Sequence, residues 1–117
     1  MEMNKQIQGL PTISMEDFQK LDLRVGKVIS AEGVTGTSKL LKIEVDFKTE
    51  IRTIVAGIKE YYLPEKLIGK NIIVVFNLAP ATIRGIQSQG MLLAASDEEQ
   101  VVLLTTDKEV SPGSKIR

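Results

Sequence analysis

The chain has 117 residues, of which 43% are hydrophobic and 26% are charged, and its 15 basic and 15 acidic residues cancel. This length and composition predict one globular domain, residues 1–117, with a core that folds without disulfides or a structural metal. The sequence contains no histidine and no cysteine, which excludes thiol nucleophiles, the commonest metal ligand and the usual proton shuttle at neutral pH.

The charges are distributed unevenly along the chain. Residues 18–96 carry eleven Lys or Arg against seven acids, whereas residues 97–109 carry five acids and one lysine. The basic middle favours an anionic partner more than the net charge suggests. No apolar run is long enough to span a bilayer, and the N-terminus lacks the apolar segment of a signal peptide, so we expect a cytoplasmic protein.

The first predicted elements are a short helix and a bent strand. After an N-terminal extension, residues 1–13, Ser14 is placed to cap a helix with acids in its first turn. The stretch LDLRV then alternates between apolar and polar residues, and the alternation changes phase at Gly26. A phase change at glycine predicts a bulge that bends the strand, as a small closed barrel requires.

The remaining pattern predicts four further main strands. LKIEVDF alternates strictly and IRTIVAG follows a short connection, which predicts an antiparallel hairpin. Pro64 and Gly69 bound a short helix, and the wholly apolar NIIVVFN predicts a strand covered on both faces. MLLAAS and VVLLTT follow, separated by a polar hairpin tip, DEEQ.

Five main strands with one helix between the third and fourth predict a mainly β OB-fold, a five-stranded Greek-key barrel. OB-folds bind oligonucleotides or oligosaccharides through one sheet face and through the loops between strands 1 and 2 and strands 4 and 5. The second of these loops corresponds to residues 77–90, which carry a single charge, Arg84, between two apolar runs. Binding rather than solvation can explain that composition.

Several motifs carry a resemblance to a known family. DFQKLDLRVGKVISAE, SKLLKIEVD, IVAGIKEYYLPEKLIGKNIIVVFNLAP and GIQSQGMLLAAS resemble the tRNA-binding domain of methionyl-tRNA synthetases, of free-standing structure-specific tRNA-binding proteins and of endothelial monocyte-activating polypeptides. The resemblance runs from about Phe18 to the C-terminal PGSKIR. It implies an OB-fold that grips the outside corner of tRNA, acting in trans or as an accessory (beta) subunit of methionyl-tRNA synthetase. It also implies a homodimer whose terminal segments build the interface.

The chain departs from its relatives in two places. Many relatives have a glycine in the turn after Val45 and Asp46, where this chain has Phe47 and Lys48, and many have serine at the position of Ala56. We expect the fold to stay intact; the departures concern the turn geometry and any contact made by that serine.

Seven side chains are candidate tRNA contacts, and four of them are cations. We expect Lys39, Lys42 and Arg52 to lie near one another if the hairpin forms, and Arg84 to bind phosphate or stack on a base. The alternative for each cation is a solvated surface charge. The candidates are Lys39, Lys42, Arg52, Asn77, Arg84, Ser88 and Met91.

The three uncharged candidates also have structural alternatives. The resemblance matches Asn77 to an Asn-Leu-x-Pro motif, and Ser88 and Met91 to a Ser-x-Gly-Met motif. Asn77 can contact a base or cap a turn, Ser88 can bind RNA or stabilise a turn, and Met91 can contact an unstacked base or belong to the core. The chain has only three Phe and two Tyr, too few for an extended base-stacking surface, which favours recognition of folded RNA shape.

The function predicted from the sequence is non-catalytic, structure-specific tRNA binding, with no catalytic residue, cofactor or metal. A second hypothesis is a protein-interaction module, either a subunit that docks on a synthetase or an export chaperone. In that case apolar residues such as Ile83 and Ile86 would contact protein.

Overall fold

A computed structural model describes residues 9–117. The first eight residues of the predicted extension lie outside the described part. The elements, in chain order, are α1 (Met15–Phe18), β1 (Leu23–Gly33), β2 (Leu41–Asp46), β3 (Ile51–Ala56), α2 (Pro64–Leu67), β4 (Asn71–Val75), β5 (Ala81–Ile83), β6 (Ile86–Ser88), β7 (Met91–Leu92), β8 (Ala94–Ser96) and β9 (Val101–Leu103).

The main sheet has five antiparallel strands in the order β3-β2-β1-β4-β7. Strand β1 is long enough to serve two partners, because its residues 23–27 pair with β4 and its residues 27–33 pair with β2. Ser14 caps the helix α1, because its hydroxyl accepts from the Asp17 amide at 3.0 Å. The mainly β OB-fold and the helix between the third and fourth main strands, α2, are confirmed.

The bend of β1 lies later than predicted. The burial pattern does change phase at Gly26, but the pairing with β2 shifts register between Val28 and Ser30. Gly26 is instead a point of close packing, since a Cβ there would overlap Cγ1 of Val45 and lie 2.8 Å from Cε1 of Phe47. The phase change at Gly26 therefore marks contact with the core. The hydrogen-bonded pairing of β1 with β2 is interrupted three residues further on.

The sheet curls into a nearly closed barrel at one seam. At this seam β3 lies against the segment from Ser88 to Gly90. We call the junction of these two segments the closing seam. The Gln89 amide donates to the Thr53 carbonyl at 2.8 Å, and the Thr53 amide donates to the Gln89 side chain at 3.1 Å. The Val55 amide donates to the Ser88 hydroxyl at 2.9 Å. Backbone groups that an open sheet would leave unpaired are thereby satisfied.

The barrel interior is filled by apolar side chains from every main strand. The rings of Phe47 and Phe76 meet edge to face at 5.0 Å, a favoured aromatic geometry. The buried cluster comprises Val28, Leu41, Ile43, Val45, Phe47, Ile54, Ala56, Ile58, Leu67, Ile72, Val74, Phe76, Leu92 and Leu103.

Two segments differ from the sequence prediction. The loop predicted over residues 77–90 contains a small hairpin, β5 and β6, with Arg84 (φ 52°) and Gly85 (φ 80°) in its turn. MLLAAS is divided between the main sheet (β7) and a separate hairpin of β8 with β9. The polar tip of that hairpin is confirmed, because the Asp97 carboxylate accepts from the amides of Glu99 and Gln100. Within residues 9–117, no helix is long and apolar enough to cross a membrane.

The packing at Gly26 predicts a strong effect of a single added methyl group. We expect Gly26→Ala to lower the free energy of unfolding by about 1–3 kcal/mol, because the methyl must displace Val45 or Phe47 in a filled core. Gly57→Ala is the matched control, since its Cβ would meet only Leu40 at 3.9 Å. Urea unfolding measures both, and equal stability of the two variants would contradict the packing described here.

Candidate nucleic-acid interface

One groove joins residues that are far apart in the sequence. The end of β1 and the turn after it supply Gly33, Val34 and Thr35, β2 supplies Lys42, and the β5–β6 hairpin supplies Arg84. Glu32 and Ile86 complete the lining, and the volume is about 220 Å³. We call this the rim groove. It brings Lys42 and Arg84, two of the predicted tRNA contacts, to one site.

Two further lysines lie beside the rim groove. The Lys59 amide donates to the Lys39 carbonyl at 3.1 Å, which fixes these two segments side by side. The Lys59 ammonium lies against Gly33, because a Cβ at Gly33 would be only 2.7 Å from Lys59 Nζ. Lys39, Lys42, Lys59 and Arg84 therefore collect at one end of the barrel.

Lys59 is not among the seven residues predicted from the sequence to contact tRNA. It follows the buried Ile58 within IVAGIKEYYLPEKLIGKNIIVVFNLAP, a stretch whose resemblance to the family implied no contact at this position, and its proximity to Lys39 arises only from the fold. The one local signal is Gly33, since a glycine in a strand often marks the close approach of another group.

Arg52 lies elsewhere, and its guanidinium has partners within the protein. In the hairpin Lys42 pairs with Val55, whereas Arg52 pairs with Val45, nearer the opposite end. Its Nη1 donates to the Phe76 carbonyl at 2.6 Å, and its Nε donates to Glu50 at 2.7 Å. The expected proximity of Arg52 to Lys39 and Lys42 in one phosphate site is therefore not found in the geometry.

A second arginine shares the aromatic contact of Arg52. The guanidinium carbons of Arg24 and Arg52 lie 4.0 Å and 3.4 Å from the centre of the Phe76 ring, within the range of a cation–π interaction. Arg24 also donates two hydrogen bonds to Asp22, at 2.9 and 2.8 Å. These bonds hold the pKa of Asp22 below its usual value and raise the pKa of Arg24. The acids Asp22 and Glu50 thus offset both arginines.

Asn77 and Ser88 use their polar atoms inside the protein. The Asn77 side chain accepts from the Asp22 amide at 2.9 Å and donates to the Lys20 carbonyl at 2.8 Å. The Ser88 hydroxyl is buried, accepts from the Val55 amide and donates to the Gly90 carbonyl at 3.1 Å. Met91, by contrast, is 49% exposed. Contact of these three residues with RNA stays a prediction; Asn77 and Met91 are exposed, whereas Ser88 is buried.

The comparisons with known proteins agree on one family. The family described as "Putative tRNA binding domain" matches residues 23–115. The chain is 50% identical over its full length to a methionine–tRNA ligase of Pyrococcus horikoshii, and 54% identical over 89% of its length to that of Caldanaerobacter subterraneus. It spans 16% of the length of each of these curated relatives.

Two solved structures resemble the chain over their whole length. One is a MetRS related protein from Pyrococcus horikoshii, with a TM-score of 0.87 and 40% identity, covering 92% of this chain and 100% of the other. The other is the chaperone CsaA of Bacillus anthracis, with a TM-score of 0.85 and 34% identity at the same coverage. The same barrel therefore occurs in proteins with different names and roles.

A substitution at Ser88 can distinguish a role in folding from a role in binding tRNA. We expect Ser88→Ala to lower the free energy of unfolding by about 1–3 kcal/mol, because the Val55 amide loses its partner. Affinity for tRNA at a temperature where the variant is folded should stay unchanged. Ser96→Ala, at an exposed strand position, is the control for the serine-to-alanine change. Normal unfolding of Ser88→Ala combined with weakened tRNA binding would show direct contact instead.

Proposed function

Because the chain belongs to the tRNA-binding domain family, as its sequence motifs predicted, we propose that it binds folded tRNA without catalysing a reaction. The observation that carries this proposal is the rim groove, where Lys42 and Arg84 line one depression with Lys39 and Lys59 beside it. Four cations at one end give a chain of zero net charge a local attraction for phosphate.

The proposed mechanism is electrostatic capture followed by recognition of shape. The rim cations displace counterions from the RNA backbone, which makes the affinity depend steeply on salt. The β5–β6 hairpin and the turn after β1 lie on either side of the groove, so an RNA bend can contact both at once. Arg24 and Arg52 contribute less to this attraction because Asp22 and Glu50 neutralise them locally.

We also propose that the chain acts on tRNA for methionyl-tRNA synthetase, either in trans or as its accessory subunit. Support comes from the methionine–tRNA ligases that share about half of its residues. It comes also from the MetRS related protein, whose whole length this chain matches. Such a role would place the chain in the cytoplasm with the synthetase.

A homodimer is proposed from the face where the two ends of the described chain meet. Residues of α1 and the C-terminal segment line a groove of about 590 Å³ there: Met15, Phe18, Gln19, Leu21, Lys115, Ile116 and Arg117. We call this the terminal face. Met15 is 68% exposed and Leu21 45% exposed, and a second copy would remove this apolar surface from water.

The second candidate function is a chaperone-like protein-interaction module. The specific observation in its favour is the likeness to the chaperone CsaA over the full length of that protein. In this case Ile83 and Ile86 of the β5–β6 hairpin, which are half-buried, would contact a polypeptide.

Removal of single rim cations tests the tRNA proposal. We expect Lys42→Gln, Lys59→Gln and Arg84→Gln each to weaken tRNA binding and to lower the slope of log affinity against log salt by about one. The matched control is Lys48→Gln, because Lys48 is exposed in the turn at the opposite end of the β2–β3 hairpin. Filter binding across a salt series provides both quantities.

Competing ligands decide between the two candidate functions. Wild-type protein should bind tRNA more tightly than duplex RNA or a single strand of equal length. Equal affinity for all three RNAs would defeat structure-specific binding. Retention of unfolded polypeptide with no retention of tRNA would favour the chaperone-like role.

A charge on the terminal face tests the dimer. We expect wild-type protein to have the mass of two chains by light scattering, and Met15→Glu to have the mass of one, because a buried carboxylate without a partner is costly. Ile68→Glu is the control, since Ile68 is 54% exposed beside α2. A single-chain mass for the wild type would contradict the proposal.

A further inference from the structure

An acidic side chain lines the rim groove among the cations. Glu32 lies one residue before the end of β1, and its Cα pairs with that of Lys42 on β2. Glu32 and Lys42 also line a smaller adjoining cleft of about 90 Å³ with Ser30 and Glu44. A carboxylate repels phosphate, so a surface built only to bind the RNA backbone gains nothing from Glu32.

The lone pairs of Glu32 are available, whereas those of its neighbour Glu44 are occupied. Within the described residues, Glu32 forms no ion pair and no side-chain hydrogen bond. Lys42 Nζ lies instead 4.0 Å from Glu44, and both oxygens of Glu44 lie 3.0 Å from the Thr53 hydroxyl. The cross-strand pair that Glu32 and Lys42 are placed to make is therefore not formed, although such pairs ordinarily stabilise a sheet.

The rest of the groove has room for one base. Val34 is buried and Ile86 half-buried, and both contribute apolar surface. The volume of about 220 Å³ is below the roughly 300 Å³ at which sites for drug-sized molecules begin. A single base fits this space better than a chain of nucleotides does. Lys42 and Arg84 lie at the same groove, where the phosphates next to such a base can reach them.

We propose that the rim groove holds one unpaired guanine, whose N1–H and N2–H donate to the carboxylate of Glu32 while Lys42 and Arg84 bind the adjacent phosphates. This assignment rests on the proposed tRNA-binding function and adds a base preference to it. An ionised carboxylate only accepts hydrogen bonds, and its two oxygens suit two parallel donors, as in arginine pairs.

Guanine is the base that matches this requirement. Its Watson–Crick edge places N1–H and N2–H side by side. Adenine and cytosine place a ring-nitrogen acceptor beside their amino group, and uracil places one N–H between two carbonyl oxygens. An acceptor directed at a carboxylate is repelled, so the other three bases pair less well with Glu32. The edge must be free of its own base partner, which restricts the site to loops and unpaired positions of a folded RNA.

Glu32→Gln tests the proposal because the two possible roles of Glu32 predict effects of opposite sign. If Glu32 accepts from a base, the isosteric amide should weaken tRNA binding about tenfold, even though the protein loses a negative charge. The salt slope should change little, since no phosphate contact is lost. If Glu32 is only a solvated carboxylate, binding should become tighter or stay the same. Glu65→Gln, in the exposed first turn of α2, is the matched control for charge.

An RNA change on the unaltered protein provides a second measurement. Inosine lacks the N2 amino group of guanosine, so tRNA carrying inosine at its unpaired guanosines should bind wild-type protein about as weakly as Glu32→Gln binds normal tRNA. Glu32→Gln should not distinguish the two RNAs, which forms a double-mutant cycle. An equal loss with both proteins would place the effect in the RNA fold and overturn the proposal.

The outcomes separate this inference from the proposed function. Wild-type protein that binds tRNA while Glu32→Gln binds equally or more tightly overturns the guanine site and leaves tRNA binding intact. Wild-type protein that does not bind tRNA overturns both.

Discussion

The structure depends on closure of the barrel between β3 and the segment from Ser88 to Gly90. Three hydrogen bonds join the two sides of this seam through backbone amides and the side chains of Ser88 and Gln89, and the Arg52 guanidinium donates a fourth to the Gln89 carbonyl at 3.3 Å. Gly90 is needed there for two reasons. Its φ of 130° is unfavourable for other residues, and a Cβ would lie 3.0 Å from the Val75 carbonyl. The seam holds the β5–β6 hairpin on the barrel and so carries Arg84 and Ile86 to the end of β1.

The Ser-x-Gly-Met motif, residues 88–91, contains residues that close the barrel and a residue that stays exposed. Ser88 and Gly90 satisfy and shape the closing backbone, while Met91, the next residue, keeps half of its surface exposed. Within one family motif, therefore, one residue can be required for folding while the next residue is accessible to a ligand. The position of a residue within a motif does not by itself distinguish the two uses.

The charged groups divide in a similar way. The guanidinium groups of Arg24 and Arg52 lie over the Phe76 ring. They pair with Asp22 and Glu50, so their charge is used within the protein. At the rim, Lys59 is held against Gly33, and Lys42 is 4.0 Å from its nearest acid. A chain of zero net charge can thus carry a local cationic site, because its acidic residues do not neutralise the basic residues equally in every part of the structure.

The sequence by itself determined the order and type of the main strands, because alternation with period two and the apolar run of β4 reflect local burial. It also determined the cap at Ser14 and the start of α2 at Pro64, and its motifs indicated the family. Only the tertiary structure decided that Lys59 joins Lys39 and that Arg52 and Ser88 use their polar atoms within the protein. It alone placed Glu32 beside Lys42 and Arg84. These contacts depend on the strand register and on barrel closure between segments that are distant in the sequence. A local sequence pattern does not show which distant group will contact a given residue.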